Sequence, residues 1–336
     1  MQTYKNLFEE ISSFENLHLA YLKARSCKRY RGYILEFSFN LESELFKLQE
    51  ELSTQTYKHG KYREFIVKDS KKRKIKAAPF RDRIVHHALC NIIESIFDRG
   101  FIYDSYACRK GKGTHRAIKR LQKFLRNKDN LYCLQCDISK YFDNVNHQII
   151  LEIVQKKIAD QKTMWLIKEI LESTFEKQPG IGIPIGNLTS QLFANIYLNE
   201  LDRFVKQELR EKYYLRYMDD FLILGKEKLD LWQDLKEIGE FLKDNLHLEL
   251  HPKKVKIFPV KGGIDFLGYL IFKDYRFLRK STVKRFVKRA KVYQKKLNEG
   301  SITEEKFKNS LQSWKAYANY ANSWRLQKDL FLKLGF

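Results

Sequence analysis

Apolar positions recur at helical spacing through the first 60 residues. In Leu41–Leu52 they stand at 41, 45, 48 and 52, with Asn40 in front as a candidate N-cap. Packing helices without chemistry are predicted there. The stretch Phe65–Pro79 reads as two β-like runs joined by a basic polar turn, and Arg81 opens a helix that reaches about Phe97. Another helix begins near Thr114, and the apolar run Leu131–Asp137 reads as a strand that ends in an acid. Helices fill 146–178. The next stretch, Gln178–Gln191, holds three glycines and two prolines, which exclude regular structure until Thr189 or Ser190. A helix then runs to about Gln207.

Two short β-formers, Tyr213–Tyr217 and Phe221–Leu224, flank Asp219 and Asp220 as a hairpin with its acids at the turn. Beyond it an amphipathic helix covers 228–245 and a strand Leu246–Leu250. A basic turn and strand follow over His251–Phe258, then a tight hairpin over Gly263–Leu270. From 281 the helical period returns, with Val283, Phe286, Val287, Ala290, Tyr293 and Leu297 on one stripe and seven Lys or Arg elsewhere around it. Trp314, Tyr317, Tyr320 and Trp324 continue in helical register and are expected in the core of a small C-terminal unit.

Charge narrows the function. The 336 residues carry 64 Lys and Arg against 41 Asp and Glu, a net +23, which calls for a polyanionic partner, with nucleic acid foremost. At 43% hydrophobic the chain can bury the cores of two or three subdomains. There is no run of 18 apolar residues and no signal-peptide pattern, so a soluble, cytoplasmic protein without a membrane partner is expected. Five scattered cysteines suit a reducing compartment. Cys133 and Cys136 form a lone Cys-x-x-Cys without a second pair, so packing is expected to place both thiols; His86-His87 reads as partly buried packing.

The acids carry the chemistry. An isolated Asp-Asp pair reads as a turn, but carboxylates beside buried strands are costly unless they bind a cation. Asp137 at one strand end and Asp219-Asp220 at a hairpin can hold two Mg²⁺ ions about 3.5–4 Å apart, the apparatus of nucleotidyl transfer. The basic tip with Lys68 and Arg73 is suited to clamp phosphates. Asp104–Arg116 sets two glycines among cations without nucleotide-loop spacing, and amides at the following helix start can hold a template or primer phosphate. The Gly-rich loop before Gln191 is expected to wall the nucleotide pocket.

Taken in order over roughly residues 40–275, these blocks resemble the motifs of a reverse transcriptase of the bacterial, group II intron-like branch. The resemblance implies an α+β right hand: fingers over 1–130, a palm with a small antiparallel sheet faced by helices over 131–275, its helical fingers insertion at about 146–178, and a helical thumb over 276–336. It implies Asp137, Asp219 and Asp220 as catalytic, with metal ligation at Asp137, Ile138, Asp219 and Asp220 and two Mg²⁺, or Mn²⁺, as cofactor. Deoxynucleotide contacts fall at Lys68, Arg73, Phe142, Ile185, Gly186, Gln191 and Lys253, or Lys254 beside it. Phe142 is the bulky gate against a ribose 2′-hydroxyl. Primer and template contacts fall at Arg109, Tyr217, Met218, Phe266, Leu267, Gly268, Lys284 and Lys288.

Most reverse transcriptases read Gln-Gly-x-x-x-Ser-Pro before the long palm helix. Here Ile185-Gly-Asn-Leu-Thr-Ser-Gln191 replaces both the Gln and the Pro, a pattern similar to the enzymes of diversity-generating retroelements. That resemblance implies copying of a template RNA into cDNA with errors at adenines, and a small, basic, pentameric accessory protein. A chain ending soon after its thumb is expected to leave template removal and target cutting to other proteins. A retron, group II intron-derived or phage-defence enzyme is the alternative. An RNA-copying RNA polymerase is disfavoured by the aromatic at 142, and a catalytically dead RNA-binding protein by three retained, mutually repelling acids.

Overall fold

The computed structural model describes residues 3–68, 72–173 and 178–334. Helices α1 (Leu7–Ser12), α2 (Phe14–Ala24), α3 (Gly32–Phe39) and α4 (Leu41–Ser53) form the N-terminal layer. Leu45, Leu48 and Leu52 are all buried, as their spacing requires. Asn40 occupies the cap position of α4 but its side chain makes no capping bond; Ser13 does cap α2, accepting from the Asn16 amide at 3.2 Å. Strands β1 (Arg63–Lys68) and β2 (Lys72–Ala77) pair antiparallel, and the long α5 (Phe80–Asp98) follows Pro79 and packs on α2. Helix α6 (Thr114–Leu125) begins after Gly113, whose φ of +107° suits only glycine.

The organising sheet comes next. Its strands are β3 (Tyr132–Asp137), β4 (Tyr214–Tyr217), β5 (Asp220–Gly225) and β6 (Lys256–Pro259), antiparallel in the order β4-β5-β3-β6. In β3, β4 and β5 both faces are largely buried, so these strands read as nearly continuous apolar runs, while the edge strand β6 is half-exposed. Successive residues point to opposite faces: Leu134, Cys136, Phe221 and Ile223 enter one core, Cys133, Leu222 and Leu224 the other. Both cysteines are therefore packing residues. Between β3 and β4 run α7 (Tyr141–Asn144), α8 (His147–Gln155), α9 (Gln161–Glu172) and α10 (Leu188–Arg203), which continues as a wider turn through Phe204–Glu208. Helix α11 (Lys228–Leu246) covers the sheet between β5 and β6.

The strand expected over Leu246–Leu250 does not form. Leu242 and Leu246 are buried at helical spacing, α11 runs on to Leu246, and His247 closes it in a left-handed turn. What remains of a strand is an isolated bridge between Leu250 and Ile138.

The C-terminal part holds a small sheet, β7 (Ile264–Phe266), β8 (Tyr269–Ile271) and β9 (Arg276–Leu278), the last unanticipated. Helices α12 (Lys280–Asn298), α13 (Glu304–Ala318) and α14 (Trp324–Leu334) follow. The α12 stripe seats Phe286 in parallel stacking on Trp314, ring centroids 3.7 Å apart. The expected aromatic register breaks after Tyr317: α13 ends at Ala318, Tyr320 lies in the connection, and Trp324 is 73% exposed at the start of a re-phased helix. Trp324 is thus not a core residue. No helix of the described residues is long and apolar enough to cross a membrane.

Candidate active site

Asp137 closes β3 directly opposite Asp220, which opens β5 and also pairs with Tyr217 of β4. Asp219 sits at the hairpin tip after Met218, whose φ of +58° makes the turn tight enough to bring two consecutive acids beside β3. The tip is tied down by the Ile138 amide, which donates to the Asp219 carbonyl at 3.2 Å. The end of β3 is held by the His251 amide, donating to the Asp137 carbonyl at 2.8 Å. The three acids open into a polar cleft of about 500 Å³ shared with Arg73, Lys253, Phe266, Leu267 and Arg279.

Crowding of like charge shows in the acids themselves. Burial, and then the charge of Asp137, pushes the Asp219 carboxyl above the usual carboxylate range. Asp220 is pushed up to about 7 by burial and then by Asp219 and Asp137, with Lys254 opposing. The Lys254 ammonium lies 2.5 Å from Asp137 Oδ2. Among the described residues no three His, Cys, Asp or Glu side chains stand as a ready-made coordination shell. The donor set itself, the carboxylate oxygens of Asp137, Asp219 and Asp220 in a cleft open to solvent, fits hard divalent cations such as Mg²⁺.

The cleft thus joins Asp137, Asp219, Asp220, Arg73, Lys253, Phe266 and Leu267, residues drawn from five separate stretches of the sequence. Of the two adjacent lysines, Lys254 rather than Lys253 touches Asp137, and the Lys253 amide donates to His251 Nδ1 at 3.2 Å. Leu267 (φ +51°) and Gly268 (φ +91°) form the tip of the β7–β8 hairpin, and the Gly268 carbonyl accepts from the Arg279 amide at 3.1 Å. Tyr217 Oη meets Thr114 Oγ1 at 3.1 Å. Lys284 and Lys288 are exposed on α12. Lys68 pairs with Lys72 in the hairpin, and its side chain lies outside the described residues.

Other expected contacts lie elsewhere. The Arg109 guanidinium is engaged within the fold, donating to Asp98 Oδ1 (2.6 Å) and to the carbonyls of Ile102 (2.8 Å) and Ser105 (3.0 Å). Gly186 lines a different groove of about 560 Å³, together with Arg31, Tyr33, Arg63, Phe65 and Arg83. Its loop is pinned to β2, because the Lys76 amide donates to the Ile185 carbonyl at 3.2 Å and Asn187 Nδ2 donates to the Lys76 carbonyl at 3.0 Å. Ile185 is half-buried beside it, and Gln191 sits half-buried in the first turn of α10. Phe142 is half-buried, edge-on to Tyr141, and its carbonyl accepts the Ile183 amide at 2.8 Å, so Phe142 and the Gly-rich loop are bonded neighbours.

Two features near the acids escaped the sequence reading. Arg279 lines the cleft from a position outside every motif, its Nε donating to Asp265 Oδ1 at 2.5 Å. Arg216 is fully buried and paired with Asp202; its signal was a cation inside an otherwise apolar strand, a placement that demands a partner.

An antiparallel sheet that brings three aspartates to one basic cleft, faced by helices and followed by a helical C-terminal part, defines a right-hand polymerase of α+β class. Residues 60–271, more than half the chain, match the family model for "Reverse transcriptase (RNA-dependent DNA polymerase)", and the chain belongs to that family. Its class is therefore that of an RNA-directed DNA polymerase. Among curated relatives, Protein YkfC of Escherichia coli (strain K12) is 26% identical over 69% of this chain and 72% of its own length. The group II intron-encoded protein LtrA of Lactococcus lactis subsp. cremoris is 27% identical over 78% of this chain and 54% of its own. A putative COX1/OXI3 intron 2 protein of Saccharomyces cerevisiae is 23% identical over 77% and 38%. The chain therefore spans only about half, or less, of the two intron proteins.

Proposed function

We propose that this enzyme makes error-prone cDNA from a template RNA for mutagenic retrohoming in a diversity-generating retroelement, and that it works with a basic, pentameric accessory protein. The single observation that carries the reading is the loop Ile185–Gln191. Its backbone and Asn187 hold it to β2, while position 185 offers an apolar side chain where an amide would be able to hydrogen-bond. A correct pair and a mispair then differ less in transition-state binding, and each 1.4 kcal/mol of lost difference raises the error ratio about tenfold.

In this reading the fingers span 1–130, the palm 131–275 and the thumb 276–336. Asp137, Asp219 and Asp220, with Ile138, would hold two Mg²⁺ ions, Mn²⁺ substituting, which when bound activate a primer 3′-hydroxyl and neutralise the triphosphate. Arg73, Lys253 and Lys254 bind and orient the triphosphate from the cleft walls, and Phe142 excludes a 2′-hydroxyl. Phe266, Leu267 and Gly268 seat the primer end. The groove with Arg31, Arg63 and Arg83 among Tyr33 and Phe65 supports entry of single-stranded RNA, since cations take phosphates and aromatic faces take bases.

The test is Ile185→Gln. Sequencing cDNA made by both proteins from one RNA should show fewer misincorporations in the variant, most visibly opposite template adenine; equal error frequencies there would sink the reading. A second reading, an enzyme encoded by a group II intron, is favoured by the likeness to LtrA. It predicts low, even error frequencies in the parent protein.

A further inference from the structure

Arg216 carries more contacts than an ion pair needs. Its guanidinium has five N–H donors, and each has an acceptor. Nε donates to Asp202 Oδ1 and Nη2 to Asp202 Oδ2, both at 2.7 Å, with Ser105 Oγ as the second acceptor of Nη2 at 3.1 Å. Nη1 serves Asn195 Oδ1 at 3.2 Å and the Met218 carbonyl at 3.1 Å. Tyr214 Oη donates to Asp202 Oδ1 at 2.7 Å, and both charged side chains are fully buried.

The bond to Met218 is the informative one. Met218 bears a Cβ yet holds φ at +58°, a conformation that such residues adopt only when their surroundings impose it. The Met218 carbonyl belongs to the peptide that precedes Asp219, and the Asp219 carbonyl belongs to the peptide that follows. Arg216 pins the first and the Ile138 amide pins the second, so both peptide planes around the Asp219 Cα are fixed. The direction of the Asp219 Cα–Cβ bond, from which the carboxylate is carried, is set by those two planes.

We propose that Arg216, anchored by Asp202, Asn195 and Ser105, is a positioning residue that aims the Asp219 carboxylate at the metal site. The hub joins α10, the segment between α5 and α6, and the β4–β5 hairpin, so displacement of any of them reaches the acid. The inference rests on the reading of the acid cluster as a metal site.

Two variants test it on the full chain bound to an RNA–primer duplex. Arg216→Lys keeps the charge but cannot span five acceptors, and Arg216→Met with Asp202→Leu removes the ion pair without leaving one charge buried alone. Mn²⁺ affinity is read from free Mn²⁺ by electron paramagnetic resonance, alongside kcat, KM for the deoxynucleotide, RNA affinity and melting temperature. Misaiming lowers Mn²⁺ affinity and kcat about 10- to 100-fold, the usual effect of losing a ligand's supporting contact, and leaves KM and RNA affinity unchanged. A merely structural pair would shift the melting temperature alone. Unaltered Mn²⁺ affinity and kcat in either folded variant overturns the proposal. Asp219→Ala separates the two readings: if it too leaves Mn²⁺ affinity intact, the metal reading itself fails.

Discussion

Gly186→Ala is expected to loosen the loop that carries the proposed fidelity determinant. At φ +116° glycine has no penalty, but an alanine is held in a region L-residues avoid, at about 1–2 kcal/mol. The new Cβ would also stand 2.8 Å from Ile75 Cγ2, closer than any real Cβ contact, which adds an overpacking penalty of about 1–3 kcal/mol. Ile75 is half-buried and can yield, so the lower part of that range applies and the sum is about 2–3 kcal/mol. The effect is local, because the loop is bonded to β2 through the Lys76 amide. Hydrogen exchange at that amide should therefore quicken by up to about a hundredfold. Adding Ile75→Ala removes Cγ2 and should recover only the steric share in a double-mutant cycle, leaving the backbone share of about 1–2 kcal/mol. Exchange and urea stability unchanged to within about 0.5 kcal/mol in Gly186→Ala would refute both the positive φ and the contact with β2.

Two further outcomes follow from the site and the charge. Asp219→Ala and Asp137→Ala should each give a folded chain that binds RNA and makes no cDNA; measured primer extension by either would remove that acid from the chemistry. Replacing Lys284, Lys288 and Lys291 together by Ala should reduce the slope of log RNA affinity against log salt by about 2–3, and an unaltered slope would mean that α12 does not track the phosphate backbone.

The sequence by itself determined what depends on neighbours along the chain. The helical stripe of α12, the apolar run that ends in Asp137, and the hairpin around Asp219 and Asp220 were legible because side-chain period and turn chemistry are local properties. The three acids could be singled out as a candidate site because carboxylates at buried strand ends are costly without a cation to bind. Only the tertiary structure decided which groups meet across the chain. Lys254 rather than Lys253 faces Asp137, a partner 117 residues away, because the turn after His251 sets which of two adjacent side chains points inward. Arg109 turned out to be held inside, and the strand at Leu246–Leu250 yielded to the buried end of α11, since burial outweighs local propensity where both are possible. The same holds for Arg216 and for Gly186. The residue type at each position says what partner it needs, and only the packed sheet and helices say where that partner stands.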